Sequence, residues 1–412
     1  MMYSFPKGFL WGASTSSHQV EGLNINDWSE WEKNNAERLA RDASKQWPKE
    51  QQERFPEMFD SKNYISGRAC DHYNRYEEDF DIARSLGHNA HRFSIEWSRI
   101  EPEEGKFDEK EIEHYREVIK ALRERGLEPF VTLWHWTLPL WLAEKGGIRN
   151  KKFAEYFARF SEKIVQSYNA DVKYWFTINE PEIYALNSYL RGRRTPQKKG
   201  VLNFYFAMRS LISAHRLAYT SIKKIAPLSI VGVICNLSDF RSSGGFINVL
   251  LKVIFEIFWN HYFLGKSQDR LDSIGLNFYF HNRINYGINK NSNEINSDLG
   301  WDLHPEGVEK VLLGFKKYAK PIYITESGLA DKEDKYRDWF IKETIKAIAR
   351  ARSKDVNIQG YLHWSLLDNF EWDIGFWPRF GLVEINYETL ARKIRPSALE
   401  YAKIIKNNGF SE

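Results

Sequence analysis

Short apolar runs rich in β-branched and aromatic residues recur along this chain, and stretches with a 3.6-residue apolar period separate most of them. Eight of the runs predict strands: Phe9–Ser14, Asn89–Ile95, Pro129–Trp134, Lys173–Ile178, Ile230–Cys235, Ser273–Asn277, Ile322–Glu326 and Gly360–Trp364. Between them, Glu109–Arg125 shows the helical spacing in Ile112, Tyr115, Ile119 and Leu122, and Gly126 follows as a stop. Lys152–Tyr168 and Lys335–Arg352 have similar patterns. Eight strand–helix units predict an α/β fold, a single (β/α)8 barrel over residues 1–412 with insertions in its βα loops. The charged segment Asn34–Lys62 reads as an irregular surface excursion after the first strand.

One run breaks the rhythm. Phe246–Leu264 is long and mostly apolar, but Asn248, Lys252, Glu256 and Asn260 recur every fourth residue and make a narrow polar stripe. Two charges near the middle of a span would cost about 2.5–3.5 kcal/mol each, so no transmembrane helix is expected. The plain reading is a barrel helix packed on three sides. The sharper one is an apolar face reserved for a second subunit or a membrane surface.

Composition narrows the function. Lys plus Arg is 59 and Asp plus Glu is 55, a net charge of +4 that gives no reason to expect nucleic acid. Only Cys70 and Cys235 occur, and no charged segment followed by an apolar one opens the sequence. The expectation is a reduced, cytoplasmic protein without a disulfide framework. Paired-cysteine and His-Glu-x-x-His motifs, phosphate loops and Gly-x-Gly-x-x-Gly turns are missing, so neither a metal nor a nucleotide cofactor is expected. The 15 Trp, 21 Tyr and 27 Phe suit a core, and their flat faces also suit sugar rings.

Polar and aromatic residues cluster at the strand ends, where such barrels build active sites: Gln19, Arg92, His135, Asn179, Glu180, Asn277, Tyr279, Glu326 and Trp364. Glu180 in Phe176–Pro181 and Glu326 in Ile322–Gly328 each end a β-branched run and should project into the barrel mouth. Two carboxyls there suit glycoside cleavage, which needs one protonated and one ionised at the same pH. Arg92 and Tyr279 are candidate partners for the ionised one. Gln19, His135, Asn179 and Glu371 could bind hydroxyls, and Trp364 and Trp372 could stack on a ring.

Taken together, these motifs resemble the family 1 glycoside hydrolases. The similarity runs from Phe9-Leu-Trp-Gly-Ala-Ser and Gln19-Val-Glu-Gly through Asn89–Ile100 and Thr132–Trp136 to Trp364–Trp372 and Arg379-Phe-Gly-Leu. The resemblance implies a retaining exo-β-glycosidase acting on small β-glycosides or short oligosaccharides. It casts Glu180 as acid/base and Glu326 as nucleophile. Gln19, His135, Asn179, Glu371 and Trp372 would hold the sugar over Trp364, with Phe380 near the inner subsite. Arg92, Asn277 and Tyr279 would form the shell around the nucleophile. Transglycosylation by the same residues and non-catalytic sugar binding are the alternative readings. Three departures stand out: Ser327 where the family usually has Asn, Thr137 where it often has Asp, and a shortened stretch between Leu264 and Leu271. The last implies a more open aglycone side and a less covered Phe246–Leu264 helix.

Overall fold

The computed structural model describes residues 2–292 and 294–411. Eight parallel strands close into a barrel: β1 Leu10–Ser14, β2 Ala90–Ser94, β3 Glu128–Trp134, β4 Tyr174–Asn179, β5 Ile230–Asn236, β6 Ser273–Asn277, β7 Ile322–Glu326 and β8 Ile358–Trp364. All eight expected strands are present, most shifted by only a residue or two at their ends. Each pairs with its sequence neighbour, and β8 closes on β1 with Trp364 opposite Ser14. Strands buried on both faces carry near-continuous apolar runs, which is why the sequence marks them clearly.

The barrel floor is an aromatic plug. Phe130 stacks on Tyr174 with ring centroids 4.3 Å apart, and Tyr323 meets Phe130 edge-on at 5.2 Å. A Cβ at Gly232 or Gly275 would lie 2.9 or 3.1 Å from the Phe176 ring, so these two strand glycines make room for it.

The segment Asn34–Lys62 differs from its expected irregular form. Helix α1, Asp27–Gln46, runs through its first part, started by a reciprocal capping box between Asn26 and Ser29. Ala36, Leu39, Ala40 and Ala43 form its buried stripe. Beyond it Trp47 and Phe55 pack on Trp377, so the excursion becomes a wall of the barrel mouth.

The Phe246–Leu264 run is helical, comprising α2 Phe246–Glu256, a wider turn over Ile257–His261 and α3 Tyr262–Ser267. The expectation of packing on three sides is overturned. The polar stripe faces the protein: Asn248 bonds the Gly244 carbonyl and the Tyr286 amide, and Asn260 exchanges bonds with the Ser238 backbone. The apolar face turns outward, with Phe246 83% exposed and Ile257 59% exposed. Only Gly265–Arg270 follows before Leu271, too short a stretch to fold back over it.

Candidate active site

The two glutamates meet across one cavity of about 560 Å³ at the barrel mouth. Glu326 is the last residue of β7 and lies opposite Asn277 of β6, after a register shift between Ile324 and Glu326. Glu180 follows β4 with φ of 43°, the left-handed region a non-glycine residue rarely adopts. Pro181 then opens a short helix with its ring-fixed φ. This sharp turn separates Glu180 from the strand direction and lets it share the cavity with Glu326.

Their neighbours differ in kind. Glu326 receives the Arg92 guanidinium on one oxygen and the Tyr279 hydroxyl on the other. Arg92 is wholly buried and held in place at 2.9 Å by Thr132 Oγ1 and at 2.8 Å by Asn179 Oδ1. Glu180 receives only neutral amides: Asn236 and Asn277 both donate to its Oε1 at 2.8 Å. Thr325 fixes Asn277 by donating to its Oδ1 at 2.7 Å.

The titration behaviour follows. Burial, then repulsion from Glu326, pushes Glu180 up to about 7, against the pull of Asn236 and Asn277. Burial and the charge of Glu326 raise the Tyr279 phenol well above its usual range, so it stays a neutral donor. Burial, with Arg92 nearby, drives His135 well below its usual value, so its ring is a neutral hydrogen-bonding group. Burial also raises Glu371 to about 8, with Arg194 opposing.

The other expected site residues line the same cavity: Gln19, His135, Asn179, Tyr279, Trp364, Glu371, Trp372 and Phe380. Arg92 and Asn277 stand behind this lining and act through the carboxylates they touch. Gln19 donates to Asn369 and to the Phe370 carbonyl, both at 2.9 Å, which fixes its amide. Trp372 is itself stacked on His18 with rings 5.6 Å apart and 8° from parallel, and Trp28 and Trp136 close its other sides. Thr137, one of the departures, donates 3.0 Å bonds to both oxygens of Glu96.

Several residues escaped the sequence reading. Asn236, at the end of β5, obeys the same strand-end rule that marked the others. Arg193 and Arg194 line the cavity and pair with Asp373 at 3.0 and 2.6 Å. Being on loops, they had no strand to flag them. Trp47 and Trp301 also line the mouth, from segments with no expected element. Asp239, His281 and His304 bring three ligand atoms within 4.8 Å, but Lys310 and Arg241 already neutralise the Asp239 carboxylate.

Arg92 carries a direct prediction. Its replacement by Met should lower the unfolding free energy by about 3–5 kcal/mol, because Glu326 would be left buried without its cation. Urea denaturation measures that loss, and the double variant Arg92→Met with Glu326→Gln should recover much of it. A double variant no more stable than Arg92→Met would mean the packing of Arg92, not its charge, is what matters.

A parallel barrel with opposed carboxyls and a mouth lined by aromatic and polar side chains defines a glycoside hydrolase of the (β/α)8 class. The model of glycosyl hydrolase family 1 matches residues 1–242 and 256–410, and the chain belongs to that family. A 1,4-beta-D-glucan glucohydrolase of Thermotoga neapolitana is 31% identical, with 100% of both chains covered. A beta-galactosidase of Sulfolobus acidocaldarius is 28% identical over 100% of this chain and 97% of its own. The structure of a beta-glucosidase from Thermotoga maritima in complex with castanospermine superposes with a TM-score of 0.88 at 28% identity, covering 100% of both chains. The protein is thus a glycoside hydrolase of the β-glucosidase and β-galactosidase type. The family match omits residues 243–255, which take in most of the helix α2.

Proposed function

We propose that the protein is a retaining exo-β-glycosidase that removes terminal β-glucosyl residues, and related β-galactosyl and β-fucosyl residues, by double displacement. The observation that carries the reading is the contrast between the two carboxyls: a guanidinium and a phenol serve Glu326, while neutral amides alone serve Glu180. In the first step a Glu326 oxygen attacks the anomeric carbon. The bond to the leaving oxygen breaks as that oxygen takes the proton of Glu180. In the second step Glu180 accepts a proton from water, and the water oxygen displaces Glu326 from the same carbon. Burial of Gln19, His18 and Trp372 supports the exo assignment, since a sugar seated there finds the cavity closed behind it.

Acid catalysis by a group at about 7 sets the pH profile. kcat/KM for an aryl β-glucoside should fall as pH rises through about 7, where Glu180 loses the proton it must donate. An alkaline limb that stays put in Glu180→Gln would assign the titration elsewhere. A panel of aryl β-glycosides read as kcat/KM tests the sugar range. NMR of the first-formed sugar tests stereochemistry: a β product supports double displacement, and an α product sinks it.

A further inference from the structure

The helix over 246–258 has its amphipathicity reversed for a protein surrounded by water. Asn248 and Asn260 are buried, Lys252 and Glu256 are half-buried and pair with each other, and Ile247, Leu250, Val253, Ile254, Ile257 and Phe258 are exposed. The apolar surface continues onto the start of the neighbouring helix α4, Val201–Ile225, where Val201, Leu202 and Tyr205 are exposed. Phe204 and Phe258 join the two elements with rings 5.8 Å apart. The helical run 246–270 is long and apolar enough to cross a bilayer by composition. Asn248 holds the Tyr286 amide and Asn260 exchanges bonds with the Ser238 backbone, which fixes the helix against the rest of the protein, so it can lie on a membrane but cannot traverse one.

Charge identifies what this face meets. From Ile183 to Gln268 the chain has 12 Lys and Arg but only two acids, Asp239 and Glu256, although the whole chain is nearly balanced at 59 against 55. Both acids are already paired, and so are six of the cations: Arg193 and Arg194 on Asp373, Arg216 on Asp269, Lys223 on Asp272, Arg241 on Asp239 and Lys252 on Glu256. Arg191, Lys198, Lys199 and Arg209 border the apolar surface, are exposed, and form no ion pair among the described residues. An apolar centre flanked by unpaired cations complements acyl chains beneath anionic headgroups. A second copy of the chain fits poorly, since two-fold pairing would set the same free cations against each other.

The same helix also walls the active-site cavity. Phe255, Phe258 and Trp259 line it, with Phe204 and Arg191 from the neighbouring segment. We propose that this face docks on an anionic membrane surface and places the cavity mouth at the headgroup level, where it takes β-glycosides whose aglycone is a lipid. The choice of substrate rests on the glycosidase reading above; membrane docking does not.

Sedimentation of the full chain with vesicles tests the docking. Binding is expected to equal mixtures of phosphatidylglycerol and phosphatidylcholine, with little to phosphatidylcholine alone, and it should weaken with salt. Lys198→Gln with Lys199→Gln should weaken it about thirtyfold, and Leu250→Glu with Ile254→Glu should abolish it. Both pairs lie outside the catalytic machinery and should keep wild-type turnover of a soluble aryl β-glucoside. The Leu250/Ile254 pair should lose most of its kcat/KM on a long-chain alkyl β-glucoside embedded in the anionic vesicles. The proposal is overturned if the wild type ignores anionic vesicles, or if the variants bind as well as it does. It is also overturned if sedimentation shows a dimer that Leu250→Glu with Ile254→Glu dissolves, with no vesicle binding. A wild type that binds vesicles but hydrolyses no aryl glycoside would instead strike at the glycosidase reading alone.

Discussion

Glu326→Gly should bring turnover of aryl β-glucosides down by on the order of 10⁶-fold, the scale seen when a nucleophile is deleted. The substitution leaves the Arg92 guanidinium and the Tyr279 hydroxyl facing an emptied space where two carboxylate oxygens stood. A small anion fits that chemistry, so added azide should occupy the space and attack the anomeric carbon from the same side. Only one displacement would then occur, and the product should be the α-glycosyl azide, identifiable by NMR. Far-UV circular dichroism establishes that the variant is folded. A folded variant with neither rescue nor azide adduct would remove Glu326 from the nucleophile's role.

Much of this site could be read from sequence because barrel strands state their positions twice. Their interiors are apolar on both faces, and the pattern breaks where they leave the core. Glu326 and Asn179 mark such breaks, and both lie at the last residue of their strands. The rule fails only where it was not applied, as at Asn236. Elsewhere the sequence hid structure for physical reasons. In α1 the high charge masks the spacing of Ala36, Leu39, Ala40 and Ala43, because small alanines bury little surface and give a weak apolar signal. In the 246–264 run the two faces of the helix were legible, but a helical wheel cannot say which face meets the barrel. That was decided by tertiary partners far along the chain, such as Tyr286 for Asn248 and Ser238 for Asn260. The pairing of Arg193 and Arg194 with Asp373 likewise spans some 180 residues, and no local pattern announces it.

Glu180→Gln separates two consequences of one buried proton. Loss of the general acid should lower kcat by about 10²–10⁴-fold on glycosides with poor leaving groups, and much less where the leaving group departs without a proton. Added azide should then take the place of water in the second step and give the β-azide, because Glu326 still forms the glycosyl-enzyme. Stability should move the other way. The native carboxyl holds its proton up to about 7, while the unfolded one loses it near 4.5. Across that interval the unfolded chain has released a proton that the native state keeps, so stability falls as pH rises. Above about 7 the full cost of the buried charge is present, about 3 kcal/mol at ~1.4 kcal/mol per pH unit. A glutamine there still accepts from Asn236 and Asn277 through its carbonyl oxygen and carries no charge. Thermal melts should therefore show Glu180→Gln more stable than the wild type at alkaline pH and nearly equal to it in acid. A gain of the same size at every pH would trace to packing. No gain at alkaline pH would mean that the Glu180 charge is better solvated in the cavity than its burial implies, and the acid role would lose its electrostatic basis.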